Sequence, residues 1–332
     1  MFENRKILVI GSNSFSGSDF IDLLLEEPRN EVVGLSRSPE KSALFLPYKQ
    51  RQGANFQFFQ MDLNQDMSRI IQLLDDFQPG FVVNFAAQSE VAPSWQYPEQ
   101  WFQTNAVALA KLVNALKDRP YLKRYVHISS PEVYGTCQGV VTEAAPLNPS
   151  TPYATSKAAA DLLLFTFVKN FSFPLIMIRS TNVYGAHQQL FKIIPRSVIY
   201  LKMGKTIELH GGGRAVKSYI HIRDVSRGEL AAMEQGQPGT IYHLSPDQGY
   251  QVREVVGDIC RLLGRDFSRA TVAVEERLGQ DAAYVIDSSR ARRELGWSPQ
   301  VSLTEGLTGV VDWVQSNWKQ IQQESLEYVH KS

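Results

Sequence analysis

Short apolar runs rich in β-branched residues alternate along the first half of the chain with longer stretches whose apolar side chains recur at helical spacing. The runs fall at 7–10, 31–35, 55–60, 81–85, 125–129 and 175–178, and a helix carrying Phe20, Leu24 and Leu25 follows the first of them. Runs that are apolar on both faces suit strands covered on both sides by helices, which predicts an α/β fold built on a doubly wound parallel sheet. From about Thr181 the alternation loosens into turn-rich stretches such as Gly211-Gly212-Gly213 and Ser245-Pro246-Asp247, with helices expected around 252–263 and 303–318. This predicts a smaller C-terminal α/β lobe. Residues 1–178, with about 217–244, would form the first domain, and 179–216 with 245–332 the second. A cleft between them is the default ligand site.

Composition narrows the function classes. Hydrophobic residues make up 43 % of the 332-residue chain and charged residues 20 %, which excludes disordered and fibrous classes. Lys+Arg at 34 balances Asp+Glu at 34, so no basic surplus points to nucleic acid or an anionic membrane. The cysteines, Cys137 and Cys260, are too few and too far apart for a disulfide scaffold or a zinc site, and six scattered histidines give no reason to invoke a metal. With no leader pattern and no run long enough to cross a bilayer, the expected location is the cytoplasm.

The first run leads directly into Gly11-Ser12-Asn13-Ser14-Phe15-Ser16-Gly17 at the start of a helix. Strand, glycine turn and helix N-terminus together form a phosphate-binding turn of Rossmann type, in which glycine lets the backbone approach a pyrophosphate. Ser14 stands where a middle glycine is usual, and the same turn without a ligand is the structural alternative. The second run ends in Ser36-Arg37-Ser38, not in the carboxylate that reads an NAD ribose. A guanidinium and two hydroxyls suit a 2′-phosphate, so the expected cofactor is NADP, with NAD the alternative.

Tyr153 and Lys157 stand four residues apart at the start of a helix and therefore share one face. An ammonium beside a phenol lowers its pKa, which would let Tyr153 take a proton from a sugar or alcohol hydroxyl. Several further stretches lie in order around this pair. They are Asp62-Leu63, Asn84-Phe85-Ala86-Ala87-Gln88-Ser89, Gln103-Thr104-Asn105, the run from His127 through Ser129, Ser130, Pro131 and Glu132 to Tyr134-Gly135, Arg179-Ser180-Thr181-Asn182-Val183-Tyr184-Gly185, and Glu294-Leu295-Gly296-Trp297.

With these motifs the chain resembles the extended short-chain dehydrogenase/reductases, the NAD-dependent epimerase/dehydratase family, over nearly its whole length. Within them it is most similar to nucleotide-sugar 4,6-dehydratases of the dTDP-glucose type. The resemblance implies that Tyr153 is the C4 acid/base, Lys157 its electrostatic tuner, Ser130 a donor to the C4 oxygen and Glu132 the base at C5. It places Gly11, Asn13, Ser14, Phe15, Gly17, Ser36, Arg37, Ser38, Asp62, Leu63, Ala86, Ala87, Gln88, Asn105, Ser129, Tyr153 and Lys157 around the cofactor. Ser89, Asn182, Lys192, Lys217, Arg277 and Asp281 would meet a nucleotide-diphosphate sugar. Pro131 replaces the family's proton-donating aspartate, so a 4-epimerase is the alternative activity, followed by a decarboxylase of nucleotide-linked glucuronic acid or a cofactor-sensing protein without turnover. Phe191 and His243 replace a usual glutamate and asparagine on the substrate side. The helices expected over 102–116 and 153–168 are apolar around more than one face, and the resemblance implies a homodimer joined by a four-helix bundle.

Overall fold

The computed structural model describes residues 5–51, 55–136, 139–276 and 283–331. Seven parallel strands form the main sheet: β1 (Lys6–Ile10), β2 (Glu31–Ser36), β3 (Phe56–Gln60), β4 (Phe81–Asn84), β5 (Arg124–Ile128), β6 (Leu175–Ser180) and β7 (Thr240–Leu244). Their order across the sheet is β7-β6-β5-β4-β1-β2-β3. Ile7 lies opposite both Val32 of β2 and Phe81 of β4, so chain order reverses at β1. That switch point opens a crevice beyond the carboxyl ends of the strands.

Helices cover both faces, as runs apolar on both sides require. α1 (Phe15–Leu24) precedes α2 (Met67–Phe77), α3 (Leu109–Leu116) and α4 (Pro152–Phe171). They are followed by α5 (Ile193–Met203), α6 (Ile222–Gln235), α7 (Val252–Leu262), α8 (Ser289–Leu295) and α9 (Leu303–Ser316). On one face Phe20 and Leu24 of α1 pack with Val225 and Met233 of α6 and Leu295 of α8. On the other, Leu74 of α2, Leu112 and Leu116 of α3 and Leu164 of α4 form a separate cluster. Each such fully buried aliphatic side chain contributes on the order of 1.5–3 kcal/mol. A third cluster brings together Val198 of α5, Val256 of α7 and Val310 of α9.

Two local results differ from the expected pattern. Residues 102–116 are not one regular helix, because Gln103–Ala108 is a π-helical segment that continues into α3. The all-round apolar character of α4 is not buried within the chain, since Leu162 is 61 % exposed and Phe171 50 %. Cys260 is a free, buried thiol, and Cys137 lies outside the described residues. Among the described residues no helix is long and apolar enough to cross a membrane.

Candidate active site

The glycine turn at the end of β1 is built as the phosphate-binding reading requires. Gly11 has φ +86°, and a Cβ there would stand 2.7 Å from the backbone nitrogen of Ala86. A Cβ on Gly17 would meet the Gly11 carbonyl oxygen at 2.5 Å. Ser14 caps α1, its Oγ accepting from the Gly17 N–H at 3.0 Å. A serine at the middle-glycine position thus supports the turn. Phe15 is the first residue of α1. Asn13 ties the turn to the end of β2, donating from Nδ2 to the Ser38 and Pro39 carbonyls, both at 2.9 Å.

Beyond this turn lies a cavity of about 360 Å³ lined by Gly11, Asn13, Ser14, Ser36, Arg37, Ser38, Asp62, Leu63, Ala86, Ala87, Gln88 and Ser89, with Lys41 added to the set read from sequence. Where β2 ends, the lining is hydroxyls and cations. The narrow cradle at Gly11 and this polar lining fit the pyrophosphate and ribose of a nicotinamide dinucleotide. Asn105 and Ser129, both buried, direct their polar groups to protein partners. Asn105, in the π-helical segment, accepts from the Gln88 N–H at 2.9 Å and donates to the Ser156 hydroxyl at 2.9 Å, so it positions Gln88. Ser129 turns its hydroxyl to Asp161, 2.7 Å away.

Residues 328–331 reach this same cavity, which no sequence pattern announced. The Lys331 carbonyl accepts from Arg37 Nη2 at 2.9 Å and from Gln88 Nε2 at 2.7 Å. His330 stacks on Tyr97 and Trp101 with centroids 5.1 and 5.4 Å apart.

The candidate catalytic pair Tyr153 and Lys157 stands at the start of α4, where Thr151 caps the helix through the Ala154 N–H and Pro152 begins it. Tyr153 is buried, hydrogen-bonded to Ser130 and close enough to Glu132 to feel its charge. Ser130 also accepts from the Glu132 N–H at 3.2 Å, so one hydroxyl joins the backbone of Glu132 to the phenol of Tyr153. Burial, followed by the Glu132 charge, pushes the Tyr153 phenol above its ordinary value. This reverses the expected direction. Lys157 is directed elsewhere, donating to the Ile128 carbonyl at 2.8 Å and lying 3.4 Å from His127 Nε2. Burial pulls its ammonium down to about 8, opposed by the Asp161 charge. Spacing could not reveal Asp161 as a partner, although it too lies one helical turn further along the Lys157 face.

A second cavity, also about 360 Å³, is lined by Asn182, Lys192 and Lys217, with Arg196, Glu208 and His210 among residues not anticipated. Lys192 pairs with Glu90 at 2.6 Å, and Glu90 lines both cavities. Asn182 donates to the Ser218 carbonyl at 3.2 Å. Arg277 and Asp281 lie outside the described residues. Among the described residues no cluster of His, Cys, Asp or Glu could hold a metal ion.

The family model described as GDP-mannose 4,6 dehydratase matches residues 8–310. The chain belongs to this family. It is a member of the extended short-chain dehydrogenase/reductases. The dTDP-glucose 4,6-dehydratase of Xanthomonas campestris pv. campestris is 30 % identical, with 95 % of this chain and 94 % of that protein covered. A solved dTDP-glucose 4,6-dehydratase from Streptomyces venezuelae with NAD bound superposes with TM-score 0.88 at 32 % identity, covering 95 % of this chain and 98 % of that one. UDP-glucuronic acid 4-epimerase from Bacillus cereus, in complex with UDP-glucuronic acid and NAD, gives TM-score 0.85 at 26 % identity over 94 % and 99 % of the two chains. The chain spans about half the length of other curated relatives, including a trifunctional UDP-glucose 4,6-dehydratase of Arabidopsis thaliana (28 % identical, 95 % of this chain, 48 % of that protein).

Proposed function

We propose that the protein is a nucleotide-sugar 4,6-dehydratase that converts a nucleoside-diphosphate hexose to its 4-keto-6-deoxy product. The observation that carries this reading is Glu132 beside Ser130 and Tyr153 at the reacting end of the cleft. C4 chemistry alone needs the phenol and the hydroxyl; a carboxylate beside them serves a neighbouring carbon.

When bound, the oxidised nicotinamide supplies a hydride acceptor for C4, a hydride donor for C6 and a positive ring charge. Tyr153 takes the proton of the C4 hydroxyl, and Ser130 donates to the C4 oxygen. Lys157, one turn along α4, together with the positive charge a bound oxidised cofactor would bring, would favour the phenolate of Tyr153. The C4 ketone acidifies C5, and Glu132 removes that proton. The electron pair forms the C5–C6 double bond as the C6–O bond breaks. Pro131 has no proton to give, so Glu132, now protonated, releases the C6 hydroxyl as water. To complete the product, hydride would return to C6 from the bound cofactor, and Glu132, ionised again after protonating the leaving hydroxyl, would bring C5 a proton from solvent while Tyr153 releases the C4 hydroxyl proton. Pro131 and the epimerase neighbour favour one second reading, a 4-epimerase. Glu132→Gln separates the two: a dehydratase loses product formation by about 10²-fold or more, whereas an epimerase that does not use the carboxylate keeps its wild-type rate.

Arg37 and Lys41, with no carboxylate among the lining residues at the end of β2, support NADP as the cofactor. The expected result is tighter NADP than NAD binding by wild type and loss of that preference in Arg37→Ala; equal or tighter NAD binding by wild type overturns it. Asn182, Lys192, Lys217 and Arg277 are assigned to the substrate diphosphate. We also infer two functional domains with the boundaries given above, and a homodimer through α3, α4 and the preceding π-helical segment. Leu162, Phe171 and Val107 are exposed apolar side chains on these elements. Light scattering at micromolar concentration should give twice the chain mass, and a monomer contradicts the pairing.

A further inference from the structure

Behind the reacting groups, five buried side chains form a hydrogen-bond chain whose direction can be assigned. His243 on β7 places Nδ1 3.1 Å from the Asp287 carbonyl. A carbonyl only accepts, so Nδ1 carries the proton and Nε2 is the acceptor. Nε2 lies 2.8 Å from the Tyr134 hydroxyl, which donates to it. The phenol oxygen in turn accepts from Nη1 of Arg179, whose guanidinium lies 4.7 Å from the centre of the Tyr134 ring. Arg179 Nη2 donates to Asp161 Oδ2 at 2.7 Å, and the Ser129 hydroxyl donates to the same oxygen at 2.7 Å. All five side chains are buried. Burial and the nearby Arg179 cation push the His243 imidazole down to about 3, which keeps it neutral and fixes this direction.

The two ends of the chain reach different parts of the site. Asp161 lies one helical turn beyond Lys157 on α4. Tyr134 belongs to the single 3-10 turn Pro131–Tyr134 that also carries Glu132. Gly135 follows at φ +67°, where a Cβ would meet the Asn148 carbonyl oxygen at 2.1 Å, so the backbone leaves this turn along one tight path. Tyr153 and Lys157 stand on a long helix. Glu132 stands on a short turn that the Tyr134 side chain pins to β6 and β7.

We propose that the Tyr134–His243 hydrogen bond is a positioning contact that holds Glu132 against C5 of the substrate, supporting the elimination step and not C4 oxidation. The inference rests on the dehydratase reading above. A displacement of about 1 Å at a reacting group costs about 10²-fold in rate, and here it would fall more on Glu132, inside the turn, than on Tyr153 and Lys157, which stand on α4.

His243→Leu removes the acceptor. Tyr134→Phe removes the hydroxyl and keeps the ring beneath Arg179. His243→Gln keeps an acceptor where Nε2 lies. In the first two variants kcat for the dehydrated product should fall by about 10²-fold with KM within about twofold. In single turnover the bound cofactor should become reduced at the wild-type rate and stay reduced, and the deuterium isotope effect at C5 on kcat should rise. His243→Gln should recover most of the loss. Equal slowing of oxidation and elimination, an unchanged C5 isotope effect, or no recovery in His243→Gln overturns the inference. Wild-type protein that forms no dehydrated product overturns the dehydratase reading itself. Wild-type dehydration with both steps slowed equally in Tyr134→Phe overturns the positioning role alone.

Discussion

Arg179 and Asp161 on one side of the sheet and Glu229 on the other are buried to the same degree, at 1 %, 1 % and 0 % exposure, yet burial acts on them differently. Arg179 and Asp161 form an ion pair at 2.7 Å and reach a tyrosine and a serine besides, although Arg179 Nε and Asp161 Oδ1 lack partners among the described residues. Glu229 on α6 has no hydrogen-bond partner for either carboxyl oxygen among the described residues. Burial, assisted by the neighbouring Asp19 charge, pushes its pKa well above the ordinary value, which favours its neutral form. Lys157 stands between these extremes, hydrogen-bonded but without a direct anion, and is pulled down to about 8. Buried opposite charges in contact form an ion pair, a buried carboxyl with no partner is pushed toward its neutral form, and a buried ammonium met by a carbonyl is pulled down part of the way.

Arg179→Met tests the paired extreme and has the largest expected effect. It leaves Asp161 buried without its cation, which costs about 3–5 kcal/mol in denaturant unfolding; a loss under about 1 kcal/mol would mean the pair does not hold the core.

Lys157→Met tests the intermediate case. The folded-state pKa lies below the unfolded one, so the charged form is penalised in the folded chain below about pH 8 and the penalty fades as pH rises towards 10.5. The variant should be more stable than wild type by about 3 kcal/mol at pH 7, less so at higher pH, and without turnover. A variant less stable than wild type at pH 7 contradicts this.

Glu229→Leu has the smallest expected effect, a gain of about 1–3 kcal/mol at neutral pH from removing an unpaired polar group. Above the ordinary carboxylate value near 4.5 the unfolded chain releases this proton while the folded chain keeps it. Wild-type stability relative to the variant should therefore fall as pH rises from there. A pH-independent difference would show that Glu229 is ionised in the fold.

The same contrast explains what was legible in the sequence. Six of the seven strands fall on the runs read from sequence; the central ones are apolar because side chains on both faces meet helices, whereas edge strand β3 is only half-buried, with Gln57 and Gln60 exposed. β7 does not, since the short strand Thr240-Ile-Tyr-His-Leu244 carries the buried, polar His243 beside its last residue. The glycine turn and the Tyr153/Lys157 pair were legible because close backbone approach and helical spacing constrain residue type locally. The pairing of Arg179 with Asp161 and the seating of Lys331 on Arg37 were not. They join positions far apart in sequence, and a charged residue in an apolar run does not name its partner.

Purified protein incubated with nucleotide sugars in deuterated water, followed by product mass and by the position of the label, tests the dehydratase reading directly. The expected product has lost one water and carries deuterium at C5; an isomer of unchanged composition with no label at C5 would contradict it.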